Sequence, residues 1–244
     1  GAMLKRRCAV ENRQRAALLS GAAGIGRAQL VSTLLAQLPE HFSPRVHLVF
    51  PDMPAAQLLG YIAAELDGGE LPAADVGTGQ SVRRIENLLI ENAGRGRHAV
   101  VVSDEAQLLA DTGALELMRL LLNFETPTGA GLTLLLVGQP NLLPAIDRLP
   151  SLEERLSVKC LMRPLSADDT AGYVSHRLQV AGGEEQIFSD DAFAALHALS
   201  GGLPRRINRL ADLALLIGFA EERTSIGAAQ IDAVSEELVT VAPE

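Results

Sequence analysis

The chain has 244 residues, 48% hydrophobic and 21% charged, with a formal net charge of −9. That composition excludes a disordered chain, and the length gives one large domain or a large domain with a small one. No apolar run reaches the roughly 18 residues of a membrane span, and the acidic balance disfavours nucleic acid as a partner, leaving only a local basic patch to bind it.

Gly1-Ala2-Met3 reads as a cloning remnant, and Lys5-Arg6-Arg7 follows without an apolar segment, so no signal peptide is expected. Cys8 and Cys160 lack metal-ligand spacing and read as thiols of a reducing compartment, which makes the expected location cytoplasmic. His41, His47, His98, His176 and His197 form no metal-like cluster and read as structural. Two tyrosines and no tryptophan offer little surface for stacking bases.

Ala16–Leu19 is a short apolar run ahead of a glycine-rich loop. Arg27–Leu38 places apolar residues at 30, 31, 34, 35 and 38, the spacing of one buried helical face. Arg45–Phe50 reads as a strand and Pro54–Leu66 as a helix with proline near its first turn. Asp67–Gln80 is glycine-rich without periodicity and reads as a surface loop, followed by a helix over Ser81–Asn92. His98–Ser103 (HAVVVS) is β-branched and nearly all apolar, as suits a central strand covered on both faces. Leu115–Phe124 is helical, Leu132–Val137 (LTLLLV) is another covered strand, and Val158–Met162 is a last strand. This alternation predicts an α/β domain with a parallel sheet between helices.

From Ser166 the pattern changes. Ser166-Ala-Asp-Asp169 and Ser189-Asp-Asp-Ala192 look like helix starts, a capping serine with acids in the first turn. Helices are expected over 166–181, 189–199, 204–221 and 227–239, with no strand between them. The expected organisation is a core over residues 1–164 and an all-helical second domain over 165–244.

The stretch GAAGIGRAQL sits between the first strand and the first helix. Converging backbone N–H groups and a helix N-terminus bind phosphate there, and glycine lets the backbone come close. Gly21, Gly24 and Gly26 fit the phosphate-loop template of glycine, four residues, glycine, lysine, then serine or threonine. The competing reading is an ordinary glycine-rich turn. Arg27 stands in place of the lysine and Ala28 in place of the hydroxyl that ligates Mg²⁺. Loss of one preorganised electrostatic group costs about 3–4 kcal/mol in catalysis.

Further along, VVVSDE is an apolar strand ending in two acids. In a nucleotide-hydrolysing fold Asp104 would hold the water shell of Mg²⁺ and Glu105 would polarise the attacking water; solvated strand-end acids are the alternative. Gln139 follows the next covered strand, where it would orient a water or serve as a polar turn residue. Arg155, in EERLS, is either a cation offered to a neighbouring subunit's phosphate or a surface charge. Arg205 and Arg206 open a helix after Ser200-Gly-Gly-Leu-Pro, either reaching a bound phosphate or remaining solvated.

Taken in order, LLSGAAGIGRAQL, VVVSDEAQLL, LLNFET, LLLVGQPNL, ERLSVKCLMRPLS and SGGLPRRINRLADLALL resemble the AAA+ ATPases of the ExeA/GspA type. That group is associated with bacterial general secretion and has relatives in transposition. The resemblance spans residues 16 to 235; GQPNL and GGLPRRIN are its specific parts, the glycine loop and acid pair being common to many NTPases. It implies a P-loop αβα core followed by a helical lid, with ATP or ADP and Mg²⁺ as cofactors. It implies phosphate contacts at Gly21, Ala22, Ala23, Gly24, Ile25, Gly26, Arg27 and Ala28, Mg²⁺ at Asp104, water activation at Glu105 and sensing at Gln139. Arg155 would act on a neighbour and Arg205 from the lid, Arg206 standing where the family has an apolar residue. Oligomers with ATP between subunits are implied too. The family's usual chain before the phosphate loop is longer, so an N-terminal arm is expected outside this sequence. Secretion members often continue into a membrane span and a peptidoglycan-binding domain, and a piece of such a protein and a stand-alone member are both open readings.

The expectation is an AAA+-like assembly or scaffold subunit with weak or no turnover, linked to a bacterial secretion or envelope-assembly system. It would self-associate or pair with an active AAA+ paralogue, and would lie at the inner membrane only through partners. Two readings compete with it. One is a working ATPase in which Arg27 replaces the lysine and water replaces the missing hydroxyl. The other is a transposition-type regulator that meets DNA through Arg205, Arg206 and Arg209.

Overall fold

The computed structural model describes residues 10–68, 77–183 and 187–240. Residues 69–76 of the loop expected over Asp67–Gln80, and Cys8 with the basic segment before it, lie outside the described residues. One compact unit runs to Ala22 and resumes over Arg27–Met162; Ala23–Gly26 and the chain from Arg163 make the second.

In the first unit the elements follow in the order β1 (Ala16–Ser20), α1 (Arg27–Gln37), β2 (Arg45–Leu48), α2 (Ala55–Asp67), α3 (Thr78–Gly94), β3 (Ala99–Ser103), α4 (Leu108–Asp111), α5 (Ala114–Leu121), β4 (Glu125–Thr126), β5 (Gly129–Ala130), β6 (Leu132–Gly138), α6 (Leu142–Asp147), α7 (Pro150–Glu153) and β7 (Leu156–Leu161). Five strands form one sheet in the order β2-β3-β6-β1-β7, every pairing parallel. The apolar runs of β1, β3 and β6 are buried along their whole lengths, as a sheet covered on both faces demands. Alternate residues serve the two faces. Leu18, Val101, Leu134 and Leu136 pack with Leu58 and Ile62 of α2, whereas Leu19, Val100, Val102 and Leu135 pack with Val31 and Leu34 of α1.

Because β6 lies between β1 and β3, the carboxyl ends of these three strands share one edge. Ser20 pairs with Gly138 and Ser103 with Leu136. The segments that begin at Gly21, Asp104 and Gln139 therefore leave from neighbouring strands about 4.8 Å apart.

Several boundaries differ from expectation. β2 stops at Leu48, short of the expected Phe50, and the apolar pair Val49 and Phe50 is 63% and 66% exposed. α3 starts at Thr78, ahead of the expected Ser81, since Gly77 and Gly79 do not prevent a first turn. The hairpin of β4 and β5 and the short helices α4, α6 and α7 carried no periodic signal, the strands being two residues each and the helices shorter than two turns.

The second unit contains α8 (Ala167–Val180), α9 (Asp190–Ser200), α10 (Pro204–Ala220) and α11 (Ala228–Thr240) around Val174, Leu196, Ile207, Leu210 and Ile231. Ser166 and Asp169 form a reciprocal capping box at the start of α8. The corresponding cap expected from Ser189 is not made: its hydroxyl lies against the Asp191 carboxylate and the Ile226 carbonyl. That contact goes with a single parallel bridge between Phe188 and Ile226, where no strand pairing was expected. No helix among the described residues is long and apolar enough to cross a membrane.

Candidate functional site

The edge shared by β1, β6 and β3 collects polar groups in an otherwise apolar sheet. The chain leaves β1 at Ser20, and the Gly21 N–H donates to the Gly138 carbonyl at 3.2 Å. The loop to α1 needs its glycines: Gly24 and Gly26 have φ of +78° and +97°, a backbone that side-chain-bearing residues rarely adopt. Ile25 is buried, and Ala28, in the first turn of α1, is exposed.

Arg27 opens α1 with a side chain only 7% exposed. In a phosphate loop the cation at this position reaches for phosphate. Here the guanidinium turns to Glu105, its Nη2 donating to Oε1 at 2.7 Å. Nη1 is also buried and has no hydrogen-bond partner among the described residues. A guanidinium has five N–H donors and is costly to bury with any of them idle.

Glu105 is held on its other oxygen as well. Gln107 Nε2 donates to Oε2, and Gln139 Nε2 donates to the same atom at 3.3 Å. Gln107 Oε1 accepts the Gln139 backbone N–H at 3.0 Å, which ties the end of β6 to the turn after β3. The Glu105 backbone is left-handed, with φ of +46°. Asp104 supports that turn by accepting the Glu105 N–H at 2.9 Å, while the Ala106 N–H donates to Val137. A left-handed non-glycine residue costs about 1–2 kcal/mol and persists where its surroundings fix it.

Arg27, Asp104, Glu105 and Gln139 are thus gathered in one place. Gln107 belongs with them and was missed: its only signal was a polar side chain two residues after the acid pair in an otherwise apolar run. Ser20 Oγ and Ser103 Oγ, at the ends of β1 and β3, are buried without hydrogen-bond partners among the described residues.

Arg155 is elsewhere. Leu156 pairs with Ala16 and Leu161 with Ser20, so Arg155 lies beyond the amino end of β1, the full strand length of roughly 16 Å from the edge that carries Glu105. Its Nη1 donates to the Arg119 carbonyl at 3.1 Å, in an open cleft also lined by Arg13, Arg15 and Glu154. Arg205 belongs to the second unit, exposed as the second residue of α10, and Arg206 and Arg209 are exposed beside it.

The donor set can be compared with what a divalent cation requires. Mg²⁺ takes six oxygens in near-octahedral geometry. Asp104 offers a carboxylate, but Ala28 offers nothing and Glu105 already faces a fixed cation. Among the described residues no group of three or more His, Cys, Asp or Glu side chains is placed to hold a metal. The residues do not fit the usual Mg²⁺ arrangement, whereas a helix N-terminus in general favours an anion.

A parallel sheet with a glycine loop after β1 and an acid pair after β3 defines a P-loop nucleotide-binding class. The AAA domain family matches residues 10–146, more than half of the chain, and the chain belongs to that family. General secretion pathway protein A of Aeromonas hydrophila is 38% identical over 206 residues, which cover 83% of this chain and 37% of that protein. The chain therefore spans little more than a third of that relative's length. Among solved structures, Cdc6p from Pyrobaculum aerophilum superposes with a TM-score of 0.74 at 14% identity, over 99% of this chain and 69% of its own. The ADP form of Aeropyrum pernix ORC2 gives 0.71 at 14% identity, over 97% of this chain and 67% of its own. These likenesses show the AAA+ fold, and members of that family generally bind nucleotide with Mg²⁺.

Proposed function

We propose that this chain is an AAA+ assembly subunit that binds a nucleotide weakly at the edge built by Gly21, Arg27, Asp104 and Gln139 and turns it over little or not at all. The observation that carries this reading is the 2.7 Å ion pair between Arg27 and Glu105. A general base must be free to accept a proton from the attacking water. Glu105 instead has one oxygen on a guanidinium and the other on two carboxamides. Ala28 removes a metal ligand from the same loop.

In this reading the first unit serves as nucleotide-binding core and the second as lid. Arg155 cannot serve its own chain's loop from the opposite edge of the sheet, which favours a role toward the nucleotide of a neighbouring subunit. The chain would work in a homo-oligomer, or beside an active AAA+ paralogue, in a bacterial secretion or envelope-assembly system. The 38% identity to general secretion pathway protein A supports that setting.

The test is steady-state ATP turnover of purified protein alongside the Glu105→Gln and Arg27→Lys/Ala28→Thr variants. Background turnover that Glu105→Gln leaves unchanged, and that the double variant raises, supports the reading. Turnover by the wild type that collapses with Glu105→Gln would establish a working ATPase instead.

A further inference from the structure

We infer that nucleotide binding at this edge is independent of divalent metal, because Arg27 supplies a buried, incompletely paired guanidinium at the helix start while residue 28 supplies no hydroxyl to hold a metal. The inference deepens the proposed function and rests on it. Three observations carry it.

The first is placement. Arg27 opens an eleven-residue helix, where backbone N–H groups already favour an anion. Its side chain is more than nine-tenths buried, so its charge acts at short range with little solvent screening.

The second is incomplete pairing. Nη2 is engaged by Glu105, while Nη1 is buried without a hydrogen-bond partner among the described residues. A phosphate offers several acceptor oxygens and is matched by a guanidinium with two parallel N–H donors. Arg27 therefore gains by meeting a nucleoside diphosphate or triphosphate, either bridging it to Glu105 or exchanging Glu105 for it. Either move leaves a positive charge beside the phosphates.

The third is exclusion. A divalent cation at Asp104 would find no hydroxyl from residue 28 to complete its coordination, and the adjacent Glu105 carboxylate is already engaged by Arg27. In a site with lysine and threonine the metal and the side chain share the phosphate charge. Here the side chain carries it without the metal.

The experiment is a fluorescence titration of the whole chain with a methylanthraniloyl-labelled ADP, once in excess EDTA and once in millimolar Mg²⁺, repeated for Arg27→Lys/Ala28→Thr. The expected result is a wild-type Kd that agrees within about twofold between the two conditions. In the double variant, chelation should weaken binding by tenfold or more. Arg27→Met should lose wild-type affinity in both conditions, and circular dichroism reports whether it folds. A wild-type Kd that worsens tenfold on chelation overturns this inference and leaves the proposed function standing. Absence of binding in both conditions overturns the inference and the proposed nucleotide site together.

Discussion

Gln107 and Gln139 lock two strand ends together: the Gln139 backbone N–H donates to Gln107 Oε1 at 3.0 Å, and both side-chain amides donate to Glu105 Oε2. Gln107 is thus the structural keystone of the edge, although Gln139 is the residue its position in the sequence advertises. Replacing Gln107 by Leu strands the Gln139 N–H and removes a donor from Glu105, and should cost about 1–2 kcal/mol in urea denaturation. Gln139→Ala loses only the 3.3 Å contact and should cost less than about 1 kcal/mol. Equal losses would contradict this division of labour.

The ion pair makes a second, asymmetric prediction. Arg27 is 7% exposed and Glu105 36%. Removing the acid leaves a buried guanidinium uncompensated, so Glu105→Ala should destabilise the chain by about 1–3 kcal/mol, less than a fully buried pair because Glu105 touches solvent. Arg27→Met removes the buried charge and keeps most of the packing, so its stability should stay within about 1 kcal/mol of wild type. Chemical denaturation of both variants decides. If Arg27→Met proves the more damaging, the pair contributes more than its desolvation takes away.

Gly138 ends β6 where there is no room for a side chain. A Cβ added there would lie 2.7 Å from Leu142 Cδ2 and 2.9 Å from Gln107 Oε1. Gly138→Ala should therefore displace Gln107 as well as Leu142, costing about 1–3 kcal/mol in thermal or urea unfolding. Combining it with Gln107→Leu should give less than the sum of the two losses, since they disturb one contact.

His98 gives the acid limb of stability a specific origin. Burial, reinforced by the charges of Arg13 and His41, lowers its pKa from the ordinary 6.5 to about 4. Its Nε2 lies 2.9 Å from Thr133 Oγ1, which donates to the Gln14 carbonyl, so Nε2 carries the proton toward Thr133. As pH falls below 6.5 the unfolded chain takes up a proton that the folded chain refuses. The contribution is therefore complete above pH 6.5 and is lost between 6.5 and about 4. His98→Gln keeps a donor toward Thr133 and should flatten this limb relative to wild type, read as Tm against pH. An identical slope in the two proteins would assign the acid limb to carboxylates alone.

Much of the fold was legible because each signal was local. LTLLLV cannot be other than covered on both faces, and Ser166 with Asp169 announces a helix start within four residues. Ser189 is also followed by two acids, but Ala192 stands where Asp169 completes the first cap, and the Ser189 hydroxyl is drawn to Ile226 by a contact 37 residues away. The site divides along the same line. The glycines, the acid pair and Gln139 are visible as residues at strand ends. The engagement of Arg27 is not, because its partner lies 78 residues on and the same letter would serve a guanidinium turned toward a ligand. Gln107 matters only once the sheet has placed β6 beside β3.

The strand order has a kinetic corollary. β1, which carries the glycine loop, finds its sheet neighbours only in β6 and β7, over a hundred residues later in the chain. β2 and β3 can pair once residue 103 has been made, whereas β1 must wait through the closure of a long loop. During synthesis the edge that carries the glycine loop thus closes only after β6 has been made, and a nascent chain halted before residue 132 would hold a glycine loop with no strand to brace it. Any ligand for this edge meets the protein after folding is nearly finished, so it acts on the completed sheet and does not template it.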